Sequence, residues 1–330
     1  RTSKIAAAEF FLEIGCEEIP AGMLQRAANE LKVILEKHFS ANHLLDNSVV
    51  ETFGAPRRLV AACESLRVRQ ADVVREVNGP PKAIAFDAVG APTRAAESFA
   101  AKQGIKVGEL TLVSTPKGDY VAAKQVIKGR PAAEILREIL PRVIAEIPWP
   151  RNMYWTSAEG SRFIRPVRWI VALLGGRTLP FAFGEVASGN ASSGHRFLGK
   201  GKVPVTGRKN YQARLRANFV LAEPAERRRK IEREIHALTA KRGLRAHADA
   251  ALMEQVVYLN EYPTVILGDF SEEFLDLPDE ILVTVMRDHQ KYFAVERREG
   301  GLAPHFLAVI NMDADRRGLV RAGHERVLRG

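Results

Sequence analysis

Cysteine is almost missing from this chain: two in 330 residues, Cys16 and Cys63. They lie far apart and form no C-x-x-C pair, which argues against a zinc site and fits a reducing cytoplasm. Each reads as a small buried hydrophobe rather than a catalytic thiol. Long apolar runs are also lacking. Stretches such as Ile170–Leu174 fall far short of the roughly 20 residues a membrane-spanning helix needs. The opening Arg1-Thr2-Ser3-Lys4 is followed by no long apolar region of a secretory signal, so no membrane role is expected. There is no G-x-x-x-x-G-K-[ST] phosphate loop and no HD dipeptide, which removes the usual nucleotide cradle and a metal-dependent phosphohydrolase site. His38 and His43 lie near no acidic or thiol partner that would complete a metal site.

What is present is an ordinary globular composition, 46% hydrophobic and 27% charged, long enough for two or three domains. The net charge is +10, and its location is informative. Between Lys200 and Arg245 there are fourteen Lys/Arg against four Glu, a surplus equal to that of the whole chain. A polyanionic partner therefore has one obvious landing site. The spacing predicts a helix from Glu223-Pro224 to about Arg242, stopped at Gly243. Ile231, Ile235 and Leu238 would form its inner stripe. Arg229, Arg233 and His236 would project outward, with Lys230 and Lys241 along a flank. Such a face can neutralise phosphates or simply be solvated.

The most organised stretch runs from Tyr262 to Asn311. Thr264–Leu267 reads as a strand closed by Gly268, and Leu277-Pro278-Asp279-Glu280 as a helix start. Leu282, Val285, Met286, His289 and Phe293 then fall on one stripe, with Glu280, Thr284, Arg287 and Lys291 opposite. The chain leaves as a strand near Phe293–Val295, turns at Glu299-Gly300-Gly301 and returns as Phe306–Asn311. Glu261-Tyr262-Pro263, then Phe274-Leu275-Asp276-Leu277-Pro278, then Met286 with His289-Gln290-Lys291-Tyr292-Phe293 resemble the beta subunit of the bacterial heterotetrameric glycyl-tRNA synthetase. Its strings there are EYP-x-V, FL-x-LP-x-E-x-L and M-x-x-HQ-x-YF.

The resemblance extends over nearly the whole chain. Ile14-Gly15-Cys16-Glu17-Glu18-Ile19-Pro20 is similar to the family's IG-x-EE-x-P string, which follows a predicted strand at Phe10–Gly15 and precedes a helix from about Ala21 to Phe39. Glu17 and Glu18 read either as an acid–base or metal pair or as charges favoured near a helix start. Pro56-Arg57-Arg58-Leu59 matches PRRL. Adjacent strand arginines point to opposite faces, so at most one of Arg57 and Arg58 faces a given ligand. A tRNA phosphate, an acidic partner or solvent would each suit it. Ala96–Gly104 matches A-x-x-FA-x-x-x-G within a predicted helix and strand module. Arg151, Arg162, Arg165 and Arg168 interleave with Trp155, Phe163 and Trp169, like P-K-x-M-R-W followed by RF-x-RP-x-RW. That pattern suits phosphate contacts with base stacking, or an aromatic core rimmed by arginine. Arg151 stands for the usual lysine and Tyr154 for an arginine. Ser192-Ser193-Gly194-His195-Arg196-Phe197 resembles S-x-GHRF, where His195 reads as a structural histidine before a general base, no triad acid being identifiable. Gly323-His324-Glu325-Arg326-Val327-Leu328-Arg329 is like GNERVLR, with His324 in the Asn position.

The expected fold is α+β and multidomain, with mixed and antiparallel sheets and packed helices. Residues 1–65 with 148–198 would form a discontinuous first domain, 66–147 a small inserted α+β module, and 199–330 the basic helix with the strand–helix–hairpin unit. The resemblance implies an N-terminal portion of a longer subunit. It implies an α2β2 assembly with the alpha subunit, which would carry the active site with ATP and Mg, while this chain binds no cofactor itself. This chain would bind and orient tRNA(Gly) as part of a cytoplasmic glycine–tRNA ligase without catalysing alone. In keeping with that, HIGH-like, KMSKS-like and class II synthetase signatures are lacking. RNA-contact candidates are Arg57, Arg58, Arg151, Arg162, Arg165, Arg168, Arg196, Lys200, Lys202, Arg229, Lys230, Arg233 and Lys241. A hydrolytic editing module for mischarged tRNA, using His195, His289 or Glu17–Glu18, and a purely structural subunit are the alternatives.

Overall fold

The computed structural model describes residues 6–87, 89–116, 118–155 and 161–329, so the opening Arg1-Thr2-Ser3-Lys4 lies outside the described residues. The chain forms two compact units: Arg1–Ala6 with Val68–Ala132, and Ala7–Arg67 with Ala133–Gly330. Residues 68–132 of the first fall within the stretch 66–147, to which it adds residues 1–6, and residues 133–147 belong to the second, which also holds 199–330.

The larger unit starts with β1 (Ala7–Cys16), α1 (Ala21–Ala41), β2 (Val50–Ala55) and β3 (Arg58–Arg67). β1 lies between two neighbours and is buried on both faces, which is why Phe10-Phe11-Leu12 and Ile14 run without polar alternation. Glu13 is the exception. α1 covers one face, burying Leu24, Ala27, Leu31, Ile34, Leu35 and Phe39 on a single stripe. Each large side chain so buried contributes about 1.5–3 kcal/mol of transfer free energy.

The smaller unit comes next: β4 (Val73–Pro81), α2 (Lys82–Ala85), α3 (Arg94–Gln103), β5 (Thr111–Thr115) and β6 (Gly118–Ile127), with strand order β4-β6-β5. Thr93 caps α3 by accepting from Ala95 N–H, and Gly104 ends it in the left-handed region at φ 71°. The Gly79-Pro80-Pro81 run, which reads as loop punctuation, is instead the end of strand β4.

The chain returns through α4 (Ala132–Glu146), the short β7 (Met153–Tyr154) and β8 (Arg162–Phe163), then β9 (Val167–Leu174) and β10 (Arg177–Thr178). β11 (Ala182–Phe183) and β12 (Val186–Gly189) complete a seven-stranded mixed sheet of order β11-β12-β9-β1-β3-β2, with β10 on β9. Its β12–β9 pair is parallel and the other pairs are antiparallel. A hairpin, β13 (Ala191–Ser193) and β14 (Lys202–Pro204), and α5 (Arg208–Arg216) lie over the second face. There Phe11, Val60, Val171, Val203, Tyr211 and Leu215 form one apolar cluster.

α6 (Pro224–Ala240), β15 (Leu244–Ala246), α7 (Ala250–Leu259), β16 (Pro263–Asp269), α8 (Asp279–Val285), β17 (Phe293–Arg297), β18 (Leu302–Asn311) and α9 (Leu319–Leu328) complete the unit. Their antiparallel sheet has the order β15-β17-β18-β16. The α+β class with mixed and antiparallel sheets is as expected. One helix face is not. Of the stripe Leu282, Val285, Met286, His289 and Phe293, Met286 and the strand residue Phe293 are buried, but Val285 is 42% exposed and His289 is also exposed. α8 passes at Met286 into a π-helical turn, Met286–Gln290, whose wider pitch shifts the angular phase of everything after it. Lys291, left-handed at φ 59°, then turns the chain into β17 so that Tyr292 stacks on Phe306 at 4.6 Å.

Candidate nucleic-acid interface

The second face of the main sheet carries a buried polar network. In the β1 register Gly15 lies opposite Arg58 of β3 and Trp169 of β9. A Cβ on Gly15 would stand 1.9 Å from the indole, so only glycine admits the ring. Trp169 Nε1 donates to Glu13 Oε2 at 3.0 Å, and the Arg58 guanidinium lies 5.4 Å from the ring centroid. Arg58 Nη1 donates to Glu13 Oε1 (3.0 Å), Ser192 Oγ (3.3 Å) and the Ser193 carbonyl (3.0 Å). Its Nε and Nη2 donate to Glu261 Oε1 at 3.0 and 2.8 Å. Ser192 Oγ and Tyr211 OH complete the Glu13 shell at 2.9 and 3.0 Å. Burial alone would lower the Arg58 pKa, but the Glu261 and Glu13 carboxylates outweigh it and raise it. Burial and then the Glu13 charge push the Tyr211 hydroxyl well up.

This network joins strings far apart in sequence. Asn311 Oδ1 accepts from the Glu261 and Tyr262 N–H groups at 2.9 and 3.0 Å, tying both ends of the 262–311 segment to it. A second buried arginine, Arg227 of α6, donates to the carbonyls of Val257, Leu221, Ala222 and Gly54 at 2.7–2.8 Å. Among the described residues no carboxylate pairs with it, and burial, outweighing the Tyr258 and Glu261 charges, lowers its pKa to about 10.

The β13–β14 loop, 194–201, sits on this base. Arg58 holds its Ser192–Ser193 shoulder and Arg57 Nη1 reaches the Gly194 carbonyl at 3.4 Å. Within the loop His195 Nδ1 accepts from the N–H groups of Phe197 and Leu198 at 3.3 and 3.2 Å. The His195 proton therefore sits on Nε2, and the lone pair a general base would use is occupied. Ser192 Oγ donates to Glu13 instead, so no serine–histidine dyad is formed. Beside the loop Arg168 Nε donates to Glu17 Oε1 at 2.7 Å, and Arg196 contacts both Glu17 and Glu18. Partial burial would raise the Glu17 carboxyl, but the two guanidiniums outweigh it and hold it below its ordinary value. Glu17 and Glu18 thus compensate arginines. Among the described residues no group of three His, Cys, Asp or Glu could hold a metal ion.

A family profile described as the glycyl-tRNA synthetase beta subunit matches residues 10–330. The chain belongs to the glycyl-tRNA synthetase beta subunit family. It is similar to the glycine–tRNA ligase beta subunit of Acidobacterium capsulatum, at 46% identity over 98% of this chain and 46% of that one. It is likewise similar to those of Citrifermentans bemidjiense, 43% over 98% and 47%, and Geobacter sulfurreducens, 44% over 97% and 46%. The chain thus spans about half the length of these relatives. Several strings that mark the family lead into the one network: Gly15 beside Glu13, Arg58 of PRRL, Trp169 of RF-x-RP-x-RW, Ser192 of S-x-GHRF and Glu261 of EYP.

The RNA-contact candidates of this family member separate sharply. Arg58 is removed from the set: it is fully buried, and Glu13 and Glu261 engage it. Arg57 retains 11% side-chain exposure, with its guanidinium 5.3 Å from the Trp169 ring centroid. Lys230 is pinned, donating to Glu234 Oε1 at 2.6 Å and contacting the Pro263 carbonyl. Arg151, Arg162, Arg165, Arg168, Arg196, Lys200 and Lys202 are exposed, as are Arg229, Arg233 and Lys241. Arg162 lies over the Tyr154 ring at 4.3 Å, and Arg165 Nε donates to the Glu18 carbonyl. Of the interleaved aromatics Phe163 is buried, and Trp155 and Trp169 are half-buried with their indole N–H groups bonded, so this is core. Several cations of the basic segment are offset by acids: Arg208 by Glu51 and Glu223, Arg216 by Glu226, Arg228 by Glu254 and Arg242 by Asp269. Among the described residues Lys200, Lys202, Arg229, Arg233 and Lys241 form no ion pair.

Proposed function

We propose that the chain is the tRNA-binding and assembly part of a glycine–tRNA ligase beta subunit. It orients tRNA(Gly) for an alpha subunit that carries the active site and uses ATP and Mg, in an α2β2 enzyme of the cytoplasm. The observation that supports this most is the division of its cations. The deep arginines build the scaffold, while Arg229 and Arg233, one turn apart on the outer face of α6, stand exposed without an acid partner among the described residues, as do Lys200, Lys202 and Lys241. A face of that kind neutralises phosphates. Holding an acceptor end in place raises the rate of transfer by positioning, with no group of this chain entering the chemistry. No helix among the described residues is long and apolar enough to cross a membrane.

Filter binding of tRNA(Gly) across a salt series tests the reading. Affinity should fall steeply with salt, each phosphate contact adding roughly 0.7–0.9 to the log–log slope. Arg229→Glu with Arg233→Glu should flatten that slope and weaken binding. An affinity indifferent to salt, or unchanged in the double variant, would remove this face from the interface.

A further inference from the structure

Among the described residues Phe197 is the most exposed aromatic side chain. It is 84% exposed, although fully burying a phenylalanine is worth about 1.5–3 kcal/mol. Its loop is rigidly held. His195 Nδ1 accepts from the N–H groups of residues 197 and 198, the Gly199 N–H donates to the His195 carbonyl at 2.8 Å, and the His195 N–H donates to the Asn218 carbonyl at 3.0 Å. Gly199 lies so close to residue 195 that a Cβ there would stand 2.7 Å from the His195 backbone N and O. The loop's base is bonded to the buried Arg58. The backbone that carries the ring is therefore held, and the ring is presented to solvent.

Its surroundings decide what it suits. Arg196 is adjacent and is paired with Glu17 and Glu18, whereas Lys200, further along the loop, and Lys202, which pairs with Ser193 at the loop's base, form no ion pair among the described residues; all three are exposed. Lysine is depleted at protein–protein contacts, and two of these three cations are lysines. An aromatic ring flanked by cations is instead the arrangement that stacks a base while the cations hold the adjoining phosphates.

We propose that Phe197 is a stacking platform for one unpaired base of single-stranded RNA, with Arg196, Lys200 and Lys202 along its backbone. The proposal rests on the RNA-binding reading above and narrows it to a single-stranded element. The test uses the full-length beta subunit with its alpha subunit, tRNA(Gly) and a fluorescein-labelled single-stranded oligoadenylate, and the variants Phe197→Ala and Phe197→Trp. Phe197→Ala should weaken binding of both RNAs about 5- to 150-fold, the range of one lost base stack, with the salt slope unchanged because no charge is removed. In Phe197→Trp the affinity should persist, and RNA should quench the new indole's emission. Wild-type affinity in Phe197→Ala, with steep salt dependence intact, overturns the platform and leaves the RNA-binding reading standing. Failure of the wild type to bind either RNA overturns both. Emission that responds to the alpha subunit but not to RNA assigns the ring to a protein interface and refutes the proposal.

Discussion

Replacing Arg58 by methionine keeps much of its volume and removes its charge. Five hydrogen bonds disappear: two to Glu261, one to Glu13, one to Ser192 Oγ and one to the Ser193 carbonyl. The larger effect is on what remains. Glu13 and Glu261, 0% and 1% exposed, would be carboxylates in the protein interior without the cation between them. Breaking a buried pair by deleting one partner costs about 3–5 kcal/mol; Arg58 serves two acids, and only Glu261 keeps a second cation, Arg57 Nη1 at 3.9 Å, so we expect a loss within that range. Against a typical total of about 5–15 kcal/mol, that is a large share of the stability. Urea unfolding should show a midpoint far below wild type with a similar slope. One further measurement isolates the cause. Adding Glu13→Gln and Glu261→Gln to Arg58→Met should recover stability, since the stranded charges are then gone. A loss under about 1 kcal/mol, or one indifferent to the glutamines, would refute the view that charge compensation holds this network.

Arg227→Met should cost about 3 kcal/mol or more, because several buried carbonyls from the segment before α6, from α7 and from β2 lose their donor at once; Arg227→Lys should recover only part, as one ammonium cannot span them, and urea midpoints check both. Glu17→Gln releases Arg168 and leaves Arg196 only Glu18, so tRNA affinity should rise and its salt dependence steepen in filter binding. The same two arginines, outweighing partial burial, hold the Glu17 carboxyl low, so its contribution to stability is present above the ordinary carboxylate value and lost as pH falls through the depressed one. His324 bonds the Tyr292 hydroxyl at 2.5 Å, and burial lowers its pKa below the ordinary 6.5. Docking of α9 should therefore be intact above that value and weaken as pH falls beneath it. Hydrogen exchange over 319–328, corrected for intrinsic rates, reads this, and His324→Asn should abolish the dependence.

Local order was legible from the sequence alone because it is written in spacing. The α1 stripe, the α6 phase with Ile231 and Ile235 inward and Arg229 and Arg233 outward, and the β16 and β18 strands all arise from periods of 3.6 and 2. The family was legible in its strings. Spacing could not register the π turn at Met286, since one wider turn leaves no mark on an apolar pattern and yet rotates every residue beyond it.

Charge is where sequence and structure part. The chain by itself determined how many cations there are and where they cluster. Tertiary structure alone decided which of them are buried, because the partner that settles the matter is remote: Glu261 lies 203 positions from Arg58, and Gly54 lies 173 from Arg227. Arg58 and Arg229 are the same residue type with the same local propensity. One is desolvated between two carboxylates and the other stands exposed on a helix, and only the packing of distant segments onto one sheet separates them.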